Sequence, residues 1–169
     1  MAILIVLLWS VGLVMDDLDK GPFRLMVFNG HKWLGVTVFW LIFYRAFLRI
    51  KKQVPPFSDS NTLWQTTATK IVHGSFYLLM ILIPISGWIM NSYKGHPLTY
   101  FGWFDIPNPF TPDKEVGHLW KEIHEFLANS LMVLVGIHVL AVLKHHLWDK
   151  QDVLRRMRPR QKWPKRYRH

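Results

Sequence analysis

Four apolar runs separated by polar connections organise this chain. They lie at residues 1–15, 25–48, 70–91 and 118–146. The last three reach the ~20 residues that a helix needs to cross a bilayer. Long, nearly uncharged runs predict membrane-spanning helices, not amphipathic helices with one wet face. The expected fold is therefore an all-α membrane protein, a four-transmembrane-helix bundle making one domain over residues 1–169, with a basic tail at 147–169.

Each run has its own punctuation. Ala2 to Met15 is apolar except for Ser10 and stops at Asp16-Asp17-Leu18-Asp19. It is short for a span, and it lacks the basic start and small-residue cleavage site of a signal peptide. It reads as a first transmembrane helix truncated at its N-terminus. The second run is interrupted near its start by Asn29, His31 and Lys32 and ends in the basic stretch Arg45 to Lys52, after which Val54-Pro55-Pro56-Phe57 prevents helix continuation. In the third, Pro84 is expected to kink the helix, and Ser86 and Gly87 to permit close helix packing. The connection from Asn91 to Val116, with Tyr100, Trp103 and Phe104, reads as an interfacial belt or a cap over the bundle end.

Charge then orients the spans. The formal net charge of +10 could point to nucleic acid, but the basic residues cluster after Phe43 and after Leu143, beside apolar segments. Arg45–Lys52 and Lys144–Arg168 are strongly basic while the other connections are near balance, so both basic segments, and the C-terminus, are expected in the cytoplasm. That favours a lipid bilayer and no nucleic acid as partner. The expected location is the bacterial inner membrane, with the remaining connections at the outer face.

Composition narrows the chemistry. With no Cys, disulfides, cysteine-ligated iron–sulfur clusters, zinc-thiolate sites and covalent haem attachment are excluded, and any metal must be held mainly by His. The fourth run carries His124, His138 and His145 at intervals of fourteen and seven residues. At about 100° per residue these share one helix face, with rises of ~21 and ~10.5 Å. An imidazole is costly in lipid and usually marks a functional site.

Depth sorts these histidines. His31 and His124 fall just inside the outer ends of their helices and are placed to face each other, while His138 and His73 lie toward the inner side. Paired His on facing helices can hold haem iron from both sides inside an apolar bundle. Zinc and non-haem iron generally want three or four ligands, often with a carboxylate. Glu125 is the only acid near the upper pair, and Glu122 and Glu125 read as headgroup-level residues. Intramembrane His also mark proton paths, which leaves open a cofactor-free membrane protein, either a proton-relaying transporter or an anchor subunit of a partner complex.

At this point the residues resemble the bacterial cytochrome b561 family of integral di-haem cytochromes. The matching pieces are the span from His31 to Arg45, the stretch His73-Gly-Ser-Phe-Tyr-Leu-Leu-Met with Pro84-Ile-Ser-Gly87, and His124-Glu-x-Leu-Ala followed by His138, His145-His146 and Leu-Arg-Arg-Met-Arg-Pro159. The resemblance implies two b-type haems in a four-helix bundle and electron passage between a membrane quinone, such as ubiquinone, and an outer-face donor or acceptor. It maps the outer haem onto His31 and His124 and one ligand of the inner haem onto His138. The other inner ligand, a His before the first apolar run, has no counterpart here. An upstream start would supply it, or His73 could substitute.

His145 matches the position near which quinone binds in the family, and a His there can hydrogen-bond a quinone carbonyl. Some relatives oxidise superoxide and reduce quinone, and others serve as electron carriers or as haem-bearing anchors of dehydrogenases. For an anionic reactant a positive funnel is expected, with Arg24, Lys32 and Lys94 as candidates. His96, in Gly95-His96-Pro97, reads as a solvated loop residue.

Overall fold

The structure, a computed structural model, describes residues 1–51 and 63–147, without the side chains of Gln65, His145 and His146. The Pro55-Pro56 loop and the basic tail from Trp148 onward lie outside the described residues. Four helices follow in chain order: α1 (Ala2–Val14), α2 (Pro22–Lys51), α3 (Leu63–Tyr93) and α4 (Lys114–Leu147), with two short strands, β1 (Leu98–Tyr100) and β2 (Phe104–Ile106), between the last two. Three helical stretches, Pro22–Lys51, Thr66–Tyr93 and Lys114–Lys144, are long and apolar enough to cross a membrane, whereas Ala2–Val14 is shorter.

Local chemistry explains the boundaries. Pro22, in the first helical position, has a fixed φ suited to that turn and no N–H left orphaned. Asp113 starts α4: its Oδ1 accepts from the main-chain N–H groups of Glu115 at 2.9 Å and Val116 at 3.1 Å, while Glu115 adds negative charge in the first turn. Large apolar side chains line the outer faces of the helices, Trp40 being 63% exposed and Phe126 71% exposed. Such surfaces suit a hydrocarbon surround, where they lose nothing by staying outside.

The chain forms two compact units, residues 1–132 and 133–169. In the first, α2 packs against α1 and α3, and β1 against α2, around a small core that includes Val38, Ile42 and Leu131. In the second, the described residues are the remainder of α4.

The expectation of a purely helical chain misses the hairpin. Its strands pair antiparallel, Leu98 with Ile106, Thr99 with Asp105 and Tyr100 with Phe104. Trp103 N–H closes the turn onto the Tyr100 carbonyl at 2.9 Å, with Phe101 at φ 48° and Gly102 at φ 76°. Two consecutive positive φ values define the turn whose twist matches a hairpin. The left-handed Phe101 costs roughly 1 kcal/mol or more, offset by its stacking on Trp33 at 4.8 Å between centroids.

Trp33 Nε1 also donates to the Thr99 carbonyl at 2.7 Å, and Thr37 and Tyr100 hydroxyls pair at 3.0 Å. The hairpin is thus strapped to α2. Trp33→Phe keeps the stack and removes the donor, so the hairpin is expected to loosen by about 1 kcal/mol, read as faster hydrogen exchange at Leu98–Ile106.

Candidate functional site

Within the first unit, α1 to α4 line a half-open cavity of about 340 Å³. Its walls are mainly apolar, among them Leu8, Phe28, Val38, Met80 and Leu131, and both His31 and His124 line it. A second, smaller hollow of about 100 Å³ reaches the same two histidines from the side of Trp88, Asn91 and Leu98. A largely apolar cavity with few convergent polar groups is the usual form of a cofactor site.

The two imidazoles stand opposite each other with ring centroids 6.4 Å apart and planes inclined by 72°. A metal bound by one nitrogen of each ring, with bonds of about 2 Å, requires a centroid separation of about this size once the two ring radii are added. His31 Nδ1 is buried without a hydrogen-bond partner, and such an orphan is costly unless something else satisfies it. His124 is held on one side only: its Nδ1 lies 2.9 Å from the Ile83 carbonyl and 3.1 Å from Ser86 Oγ. Two opposed imidazoles, one with an orphaned nitrogen, over an apolar cavity fit a metal porphyrin held from both faces. Among the described residues no three His, Cys, Asp or Glu side chains gather as a metal set.

The rim is charged. Lys121 Nζ lies 2.7 Å from Asp16 Oδ2 and 3.2 Å from Glu125 Oε1, and Arg24 is 3.9 Å from the other Asp16 oxygen. All of these except Arg24 line the cavity, as does Lys94. Partial burial, then the nearby Lys121 charge, hold the Lys94 ammonium below the usual lysine range. Glu125, expected at headgroup level, shares the cavity wall with Asp16, which the sequence marked as an acidic turn. Lower down, Trp9 Nε1 donates to Asn129 Oδ1 at 2.9 Å, so two polar groups inside apolar runs satisfy each other.

Behind the rim, His96 is an exposed loop residue, as expected, and its main chain ties the loop together. Its carbonyl accepts from Asn91 at 2.8 Å and from Asn108 at 2.9 Å, and the fully buried Ser92 donates to Asn108. The partial desolvation of its ring, then the charges of Lys32 and Lys94, keep its imidazole below its ordinary value of 6.5. Above that value the ring is neutral whether the loop is folded or not. Below it the unfolded loop takes up a proton that the folded one resists, so the loop loses stability as pH falls below 6.5. Lys94→Met is expected to move the His96 titration upward toward the ordinary value, checked by NMR of the ring nitrogens.

The remaining sequence-derived residues fall elsewhere. His73 lies on α3 and does not line the cavity. His138 belongs to the second unit. The side chain of His145 lies outside the described residues. Ser86 and Gly87, read as packing residues, lie against His124.

Comparison with known proteins places this geometry. A model of the prokaryotic cytochrome b561 family matches residues 1–160. The chain is similar to cytochrome b561 homolog 2 of Escherichia coli strain K12, 32% identical over 127 residues that cover 75% of this chain and 68% of that protein. It is similar to cytochrome b561 homolog 1 of the same organism, 30% identical over 138 residues covering 82% and 78%. The probable superoxide oxidase CybB of Yersinia pestis is 26% identical over 132 residues covering 78% and 74%. With its membrane-capable helices and its pair of opposed imidazoles, the chain belongs to the prokaryotic cytochrome b561 family, multi-pass bacterial membrane proteins that bind haem b and transfer electrons.

Proposed function

We propose that this chain is a b-type cytochrome of the bacterial inner membrane in which His31 and His124 would hold an outer haem, and that it passes electrons between a membrane quinone and a partner at the outer face. The observation that carries the reading is the opposition of the two imidazoles across an apolar cavity. Bound haem supplies the one-electron chemistry. The chain supplies the two ring nitrogens, walls that exclude water, and the charged rim of Asp16, Lys94, Lys121 and Glu125. As a single transmembrane cytochrome domain it would cross the bilayer four times, with α1 as the first span and the basic tail in the cytoplasm.

Two further assignments rest on the family resemblance alone: His138 would hold a second haem, and His145 is the quinone residue. His73 is a candidate substitute ligand by its depth, although the family position is usually a non-ligand. For the outer partner, the cations Lys32 and Lys94, close enough for both charges to act on His96, favour a small anion. Superoxide fits, and one relative is named a probable superoxide oxidase.

Purified chain is expected to reduce quinone when supplied with superoxide. A haem-loaded protein without that turnover would leave a pure electron-transfer subunit, and a colourless protein would return the chain to the cofactor-free class.

A further inference from the structure

Both histidines of the cavity face a glycine on a neighbouring helix. His124 approaches α3 where Gly87 has no side chain: a Cβ there would lie 3.1 Å from His124 Cε1 and 3.2 Å from its Nδ1. The carbonyl that accepts from Nδ1 belongs to Ile83, four residues earlier. His31 approaches α1 at Gly12, where a Cβ would lie 3.6 Å from its Cε1.

Helix geometry gives the reason. Every Cα–Cβ bond tilts toward the helix N-terminus, so the side chain of a residue shades the carbonyl one turn before it. A glycine uncovers that carbonyl, and a neighbouring ring can reach it. At Gly87 the fit is tight enough that a methyl group would displace the ring, whereas at Gly12 it would make an ordinary contact.

The hydrogen bond also decides which nitrogen of His124 is free. A carbonyl only accepts, so Nδ1 carries the proton and Nε2 keeps its lone pair. The Ser86 hydroxyl, 1% exposed, donates to the same Ile83 carbonyl at 2.8 Å, with its oxygen 3.1 Å from Nδ1. It competes for the carbonyl and is the longer of the two acceptors for the ring.

We propose that Gly87 and Ser86 are positioning residues for the outer haem: the notch at Gly87 lets the Ile83 carbonyl hold His124 as its Nδ1–H tautomer with Nε2 as the ligating nitrogen, and Ser86 moderates that hydrogen bond. The proposal rests on the reading of His124 as an axial ligand. A donor bond from the far nitrogen raises the basicity of an imidazole ligand, which favours oxidised iron and lowers the haem's potential. The notch and the hydroxyl therefore tune the potential in opposite directions.

The test uses full-length, haem-loaded protein with Gly87→Ala, Ser86→Ala and His124→Ala, read by haem content, midpoint potential and the low-spin electron paramagnetic resonance signature. Alanine favours helix over glycine, so Gly87→Ala keeps α3 formed while pushing the ring off Ile83. Its potential is expected to rise, its resonance signature to shift, and haem affinity to fall roughly 10- to 100-fold. Ser86→Ala, which leaves the notch open and removes the competing donor, is expected to lower the potential. Wild-type potential and resonance signature in both variants, with haem lost in His124→Ala, would overturn the proposal and leave the ligand pairing standing. Full haem content in His124→Ala would overturn the pairing and this proposal together.

Discussion

Replacing His124 by alanine is expected to remove haem from the cavity of the first unit, and His31→Ala to do the same. Each substitution deletes one of the two opposed rings and leaves the other facing an apolar hollow of about 340 Å³. An axial ligand contributes more than the groups that orient it, and losing those alone costs roughly 10- to 100-fold in metal affinity. The expected loss is therefore on the order of 100-fold or more, with the six-coordinate low-spin spectrum of that haem gone. A pyridine haemochrome assay with a reduced-minus-oxidised spectrum checks it, and His138→Ala, proposed to hold a second haem, is expected to keep this one. A full haem complement in either His31→Ala or His124→Ala would refute the pairing. The same assay on the unaltered chain counts its haems: two would mean that both sites are complete in this sequence, and one that only the outer pair is.

Charge reversal at Lys32 and Lys94 should have the second largest effect. Their charges converge near His96, Lys94 lines the larger cavity and Lys32 the smaller one that reaches both histidines. A cationic mouth over low-dielectric walls concentrates anions and speeds their capture by roughly 10- to 1000-fold. The Lys32→Glu, Lys94→Glu double variant is thus expected to lose about that factor in its rate with superoxide while its rate with an uncharged reductant stays near wild type. The wild-type rate should also fall with salt, since charges are screened over about 10 Å at 0.1 M. Stopped-flow rates at several ionic strengths, on variants that retain haem, decide this. A salt-independent wild-type rate would exclude electrostatic steering.

Residue types and their spacing made much of the site legible beforehand. The apolar runs announced helices, and equal depth brought His31 and His124 together on paper because helical rise is nearly constant along each helix. Other features left no such mark. Asp16 reads as a turn residue, which it is, and Glu125 as a headgroup residue, but their shared pairing with Lys121 was not legible, since an ion pair across elements has no local periodicity. Trp9 and Asn129, which hydrogen-bond each other, are separated by most of the chain. Ser86 and Gly87 read as packing residues because a small side chain signals close approach without saying what approaches.

By itself the sequence determined the membrane class, the presence of long apolar helices, the absence of thiol chemistry and the identity of the histidines, because these depend on composition and on regular, local periodicities. Only the tertiary structure decided the hairpin and its anchorage on Trp33, the charged rim, the separation of the two rings and the carbonyl that orients His124. Those features depend on distances between residues far apart in the chain, down to a few tenths of an ångström at Gly87, and no pattern along one strand of sequence carries such distances.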